Sequence, residues 1–259
     1  MVPNAFDPHT QAIYYHNLKN KEAKTMEGKK KFIEGVKKGL EKLSLNEAEM
    51  DKGLKRTEFK EGFMDMEMFG AEKIEKAIFS ITVMYEPSMT ENSVIVWPAD
   101  DYDLPFYWCS LTQMPGMNIL IIDFMPLMDV VLCPQYGEKY LLDLQVIKNS
   151  ATEKLKDGIL DKAFSLSTKT PWAFSPQSTV FLLTDEIIHD LGPVVDEYSK
   201  LYIKLWQEAK TFDQDEERQF CKRKKEATRK MLRENDPGYY PLLNILGEDK
   251  TNRLFDLFF

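Results

Sequence analysis

The run from Val94 to Asp123 constrains the fold more than any other stretch. VIVWPADDYDLPFYWCSLTQMPGMNILIID reads as three short strands joined by turns that proline marks. Connections this short imply antiparallel hairpins, because parallel neighbours need a crossover of a dozen or more residues. The same β-rich pattern begins upstream at about Glu58, with FKEGFMDMEMF and KAIFSITVMY, and STVFLL near 178–183 reads as a later strand of the same sheet.

Helical periodicity brackets the strands. In KKKFIEGVKKGLEKLS, Phe32, Ile33, Val36, Leu40 and Leu43 recur at three and four residues, an apolar stripe with lysines opposite. Val194, Tyr198, Leu201, Tyr202 and Leu205 repeat the stripe near the C-terminus. DEERQFCKRKKEATRKMLREN is a strongly charged helix that must stop before Pro237 and Gly238, and LLNILG and TNRLFDLFF complete a helical ending. Helices in the first and last thirds around a central sheet predict an α/β fold, a three-layer α/β/α sandwich with a central antiparallel β-sheet. No repeat or low-complexity linker divides the 259 residues, so residues 1–259 are expected to form one domain.

Several classes of chemistry have no motif. The glycines never fall as G-x-G or as G-x-x-x-x-G-K-[ST], which argues against NAD(P) or ATP. No G-x-S-x-G elbow occurs. Cys109, Cys133 and Cys221 are widely spaced and too few for a protein-held iron–sulfur cluster, and His9, His16 and His189 lack metal-ligand spacing. No bound cofactor and no metal are expected. The apolar runs MNILII and STVFLL are far shorter than the roughly 18 residues of a membrane span. The opening MVPNAFDPHT lacks both the basic and the apolar region of a secretory signal. A cytoplasmic location is expected, or the plastid stroma if a transit peptide has been removed. A net charge of −8 argues against nucleic-acid binding.

Strand alternation groups particular polar side chains. Ser80 and Thr82 share one face, opposite Phe79, Ile81 and Val83, and Ser110 and Thr112 oppose Cys109 and Leu111. With Ser93 and Asn118 in a suitable register, one sheet face becomes a hydroxyl-rich surface for a flat ligand, or else an ordinary solvated face.

The order of these elements resembles the ferredoxin-dependent bilin reductases. The matching residues are WP-x5-LP-x-Y at Trp97, Pro98, Leu104, Pro105 and Tyr107, then Pro115-Gly116, a strand ending at Asp123, and W-x-FSP at Trp172, Phe174, Ser175 and Pro176. The ending is similar too, with Asn235-Asp236, a Leu-rich turn, Gly247-Glu248 and a final Leu-Phe-x-x-Phe. The resemblance covers roughly residues 55 to 259. It implies a linear tetrapyrrole held between the central sheet and the C-terminal helices. Reduction would proceed by single electrons from ferredoxin, coupled to proton transfer, with no bound flavin or metal, in a chain expected to be monomeric.

The chain also departs from that family. The Asp common after the Leu-Pro turn is replaced by Ser110, and a His and a Glu of relatives fall at Ser93 and Ser80. A serine hydroxyl is a poor general acid beside a carboxyl tuned near neutral pH. Asp236 keeps the family's C-terminal acid position and Asp123 is a second carboxyl at a strand end, so both are candidate proton donors. Ser80, Ser93, Ser110, Asn118 and Asn235 are candidate substrate-binding residues. Lys222, Arg223, Lys224, Lys225 and Arg229 form a basic helix suited either to docking an acidic ferredoxin or to simple solvation. With the sheet acids gone, two alternatives stay open: a non-catalytic bilin-binding protein, and a reductase of an open-chain chlorophyll catabolite.

Overall fold

The period-two runs pair as their short turns require. A computed structural model describes residues 32–85, 88–162 and 169–259. His9, His16 and the first residues of the N-terminal stripe helix lie outside the described residues. The strands are β1 (Asn46–Glu47), β2 (Arg56–Phe59), β3 (Gly62–Ala71), β4 (Ile74–Met84), β5 (Met89–Pro98), β6 (Phe106–Met114), β7 (Met117–Met125), β8 (Ile159–Asp161) and β9 (Thr179–Leu183). They form one antiparallel sheet in the order β1-β3-β4-β5-β6-β7-β9-β8, with β2 pairing β3 as well. Between β6 and β7, Met114 pairs Met117 across two loop residues. Pro115 presets its own φ and Gly116 supplies the φ of 74° that the turn demands. At the start of β3 a Cβ on Gly62 would sit 1.9 Å from the Val83 carbonyl oxygen, so only glycine lets β3 and β4 close there.

Helices lie against both faces of the sheet. They are α1 (residues 32–39), α2 (Lys52–Lys55), α3 (Pro134–Lys154), α4 (Leu191–Glu208), α5 (Asp215–Asn235), α6 (Tyr239–Leu246) and α7 (Glu248–Phe258). One face packs on α4: Tyr107 of β6 stacks on Tyr202 at 4.9 Å, and Phe124 of β7 meets Tyr198 and Tyr202 edge-on. Val36 of α1 and Leu40 just after it join this core as the stripe predicts. The other face packs on the C-terminal helices. The Trp97 indole donates to the Phe258 carbonyl at 2.8 Å, and Met64 and Met66 of β3 cluster with Leu254 and Phe255 of α7.

Two features differ from the sequence expectation. Helix α3 falls in the middle third of the chain, where no helix is predicted above. Its inward residues Tyr136, Tyr140, Leu141 and Leu144 do carry the three-and-four spacing, and Pro134 occupies the first turn, where a missing N–H costs nothing. The second difference concerns the basic helix. Lys225 is not on a docking face but buried, because Cys221, Lys225, Thr228 and Leu232 form the inward side of α5. Its ammonium donates to Glu75, to Asp100 Oδ1 at 2.6 Å and to the Pro98 carbonyl at 2.7 Å. Arg229 is also engaged, lying over the Trp97 ring and bonded to Glu75 at 2.7 Å. Burial opposes ionisation of Glu75, yet Lys225 and Arg229 hold its carboxyl below the usual range.

This network ties α5 to the ends of β4 and β5. Lys225→Ala is expected to lower stability by about 1–3 kcal/mol. That is less than a fully buried pair would lose, since Glu75 and Asp100 are 38% and 43% exposed and can rehydrate. Denaturant unfolding measures it, and an unchanged midpoint would show that α5 is held by apolar packing alone.

Candidate functional site

The register places polar side chains in rows across one sheet face. Ser80 pairs Ser93 and Ser93 pairs Ser110, so the three serines form a single row on β4, β5 and β6. All three are buried. Two residues along, which is about 7 Å, Thr82, Glu91 and Thr112 form the next row. On the far side of the serines, Trp108 pairs Asp123.

Across from this face the sequence N-D-P-G builds the opposing wall. Pro237 forbids Asp236 the helical region, so α5 ends and Asp236 adopts an extended backbone. The Asn235 side-chain amide turns back along the helix and donates to the Met231 carbonyl at 2.8 Å. Asp236 Oδ1 accepts the Gly238 N–H at 2.7 Å, an Asx turn that fixes its carboxyl and starts α6.

A cleft of about 220 Å³ lies between these walls. Thr82, Glu91, Trp108, Ser110 and Thr112 line its sheet side, Asp236, Gly238 and Leu242 the other, and Met84, Met89 and Phe174 add apolar surface. A mostly apolar cleft with a few convergent polar groups is the usual form of a small-molecule site. The Trp108 indole N–H in this wall has no acceptor among the described residues.

Two carboxyls face this apolar space, and both hold protons unusually well. Burial pushes Asp236 up to about 6 against the opposing Gly238 N–H. Burial, and after it the Asp236 charge, push Glu91 up to about 7, with the nearby Ser110 hydroxyl working the other way. Glu91 is absent from the candidates drawn from the sequence. Its signal was present, since Glu91 shares strand parity with Ser93, but tracing the hydroxyls and the family's acid positions passes over it.

The remaining candidates divide. Ser110 lines the cleft, while Ser80 and Ser93 share its row outside the lining, the Ser80 hydroxyl directed at the Ser93 carbonyl. Asn118 does not join the hydroxyl face. It pairs Gln113, one residue out of phase, and its amide binds Asp185 at 2.9 Å. A one-residue offset inverts the face because strand side chains alternate. Asn235 points back along α5. Asp123 is fully buried outside the lining, accepting the Ser175 N–H at 2.7 Å and the Ser175 hydroxyl. Its carboxyl is pushed up to about 7 by burial, which those bonds only partly offset. Lys222 and Arg223 are exposed and Lys224 is half-buried.

No group of three or more metal-ligating side chains occurs among the described residues, and none of their helices is long and apolar enough to cross a membrane. Burial raises the Cys109 and Cys221 thiols to about 12, far from a reactive thiolate.

The chain belongs to the ferredoxin-dependent bilin reductase family, whose model matches residues 33–259. It is 23% identical over 175 residues to phycoerythrobilin:ferredoxin oxidoreductase of Prochlorococcus marinus (strain MIT 9301), covering 66% of this chain and 66% of that protein. The counterpart from strain MIT 9215 is 22% identical over 173 residues, covering 65% of this chain and 66% of that one. Phytochromobilin synthase from tomato, solved in complex with biliverdin, shares the fold with a TM-score of 0.74 at 20% identity, over 87% of this chain and 80% of that one.

Asp123, Glu91 and Asp236 all bind protons more tightly folded than unfolded, so stability falls as pH rises from about 4 to about 7. Asp123→Asn is expected to flatten that slope in thermal melts. Ser175→Ala, which strips a donor from a buried carboxyl, should cost about 1–3 kcal/mol. A slope that Asp123→Asn leaves unchanged would show that Asp123 is ionised throughout.

Proposed function

We propose that this chain catalyses the ferredoxin-dependent reduction of a linear tetrapyrrole, biliverdin or a partly reduced bilin, in the cleft between the sheet and α6. Ferredoxin delivers electrons singly and Asp236 delivers protons. The observation that carries the proposal is the Asp236 carboxyl, fixed by the Gly238 N–H in an apolar cleft where burial raises it to about 6, close enough to neutral pH for it to take up and release a proton there. A carboxyl so tuned donates a proton to a one-electron-reduced substrate far better than a hydroxyl does. Family membership supports the electron donor and the tetrapyrrole class, and the biliverdin complex of the tomato enzyme supports the choice of first substrate.

The reaction so proposed needs no resident flavin or metal, because electrons pass from the docked donor to the bilin. Lys222 and Arg223, on the outer side of α5, are the docking residues that remain exposed. Their attraction for an acidic partner is long-range and sensitive to salt. The proposal places a monomeric protein in the cytoplasm or the plastid stroma, where ferredoxin is reduced. A second reading, a bilin-binding protein without turnover, draws on the Ser80, Ser93 and Ser110 row, which holds no acid. The apolar cleft fits an open-chain chlorophyll catabolite on the same chemical grounds, so that substrate belongs in the assay.

Asp236→Asn should keep the absorbance shift of bound biliverdin while slowing anaerobic conversion by about 10²-fold or more, the usual worth of a positioned acid. Undiminished conversion would remove Asp236 from the mechanism, and binding without conversion in the unaltered chain would favour the binding protein. At limiting ferredoxin, conversion should slow steeply with added salt and in Lys222→Glu/Arg223→Glu, while saturating ferredoxin restores it. Indifference to both would place docking elsewhere.

A further inference from the structure

Glu91 enters the cleft from the opposite wall to Asp236, on a strand whose neighbouring row offers only serines. Its immediate neighbours across β4 and β6 are Thr82 and Thr112. Among the described residues that line the cleft, Glu91 and Asp236 are the two that titrate. The others come from β4, β5, β6, β7, β9, the stretch before β9, the turn after α5 and α6, and all of them are neutral. Two carboxyls facing one poorly solvated space resist ionising together, so the Asp236 charge favours the protonated form of Glu91.

We infer that Glu91 and Asp236 act as an electrostatically coupled pair of acids on opposite walls of the cleft, with Glu91 the sheet-side proton donor, set one row along from the serines. The inference rests on the proposed tetrapyrrole reduction. Saturating one carbon–carbon double bond takes two electrons and two protons. Two reduced ferredoxins each lose one electron and are oxidised, and the bilin is reduced. Each proton leaves a carboxyl oxygen as its O–H bond breaks and a bond to the bilin forms. The second carboxylate left behind repels the first, and that repulsion draws a replacement proton from solvent before the next step.

The geometry separates this role from a purely structural one. Glu91 forms no ion pair among the described residues that would give it a structural partner, and beside the Ser110 hydroxyl its carboxyl faces the cleft. The pair also makes each acid sensitive to the other. Neutralising Asp236 removes the charge that raises Glu91, so the Glu91 titration must move to lower pH.

The test has a substrate-free arm and a turnover arm. In infrared titration of the ligand-free protein, a protonated-carboxyl band is expected to persist to about pH 7. It should weaken in Glu91→Gln and shift to lower pH in Asp236→Asn. In anaerobic single turnovers, Glu91→Gln should bind biliverdin with affinity within about threefold of the unaltered protein. Its bilin protonation should slow by about 10²-fold, and Glu91→Asp should recover part of the rate. Conversion in the unaltered protein should fall as pH rises through about 7, with that limb displaced to lower pH in Asp236→Asn. Conversion and pH limb unchanged in Glu91→Gln would overturn the role of Glu91, and independent carboxyl bands in the two variants would overturn the pair. If the unaltered protein reduces no tetrapyrrole, the reduction itself fails, while the infrared arm still decides whether the two carboxyls are coupled.

Discussion

The antiparallel register of β4 through β7 is the constraint on which the site depends. Once Pro115 and Gly116 lock the β6–β7 hairpin and the β4–β5 and β5–β6 pairings follow, each row of side chains across the sheet is fixed. That register sets Ser80, Ser93 and Ser110 side by side and puts Glu91 one row nearer the cleft. A slip of one residue would carry Glu91 and Ser110 to the α4 face, where Tyr107 and Phe124 now pack. The aromatic core on that face therefore specifies the chemistry on the other.

The opposing wall is held by different means. Asp236 stands where it does because α5 ends at Asn235, and α5 is seated on the sheet by Lys225, Arg229 and the apolar side chains around them. A buried ammonium is costly unless its partners satisfy it fully, and here Glu75, Asp100 and the Pro98 carbonyl do so. The helix suggested by charge alone as a docking surface thus serves two purposes. Its inner side positions a carboxyl, and its outer side offers Lys222 and Arg223 to solvent.

Much of the fold was legible in the sequence because it rests on local rules. Alternation marked β3 to β7 and β9, Pro-marked turns gave their antiparallel pairing, three-and-four spacing gave α1 and α4, and a charged run stopped by Pro237 gave α5. The very short strands β1, β2 and β8 escaped, since they form through pairing rather than through their own pattern. For the site, strand parity marked Ser110, while Asp236 was marked by the resemblance of the chain's ending to the family rather than by a local pattern. Asn118 needed the β6–β7 register, Asp123 needed its partner Ser175 fifty-two residues away, and Glu91 needed both walls at once. Each of those depends on contacts between segments distant in sequence, which no periodicity encodes.

A crystal structure of the biliverdin complex addresses the placement of the site directly. The tetrapyrrole should lie in the cleft against Trp108 and Ser110, with Glu91 and Asp236 on opposite sides of it and the Trp108 indole donating to it. Biliverdin bound elsewhere on the protein, or a cleft left closed by α6 in the complex, would contradict the assignment.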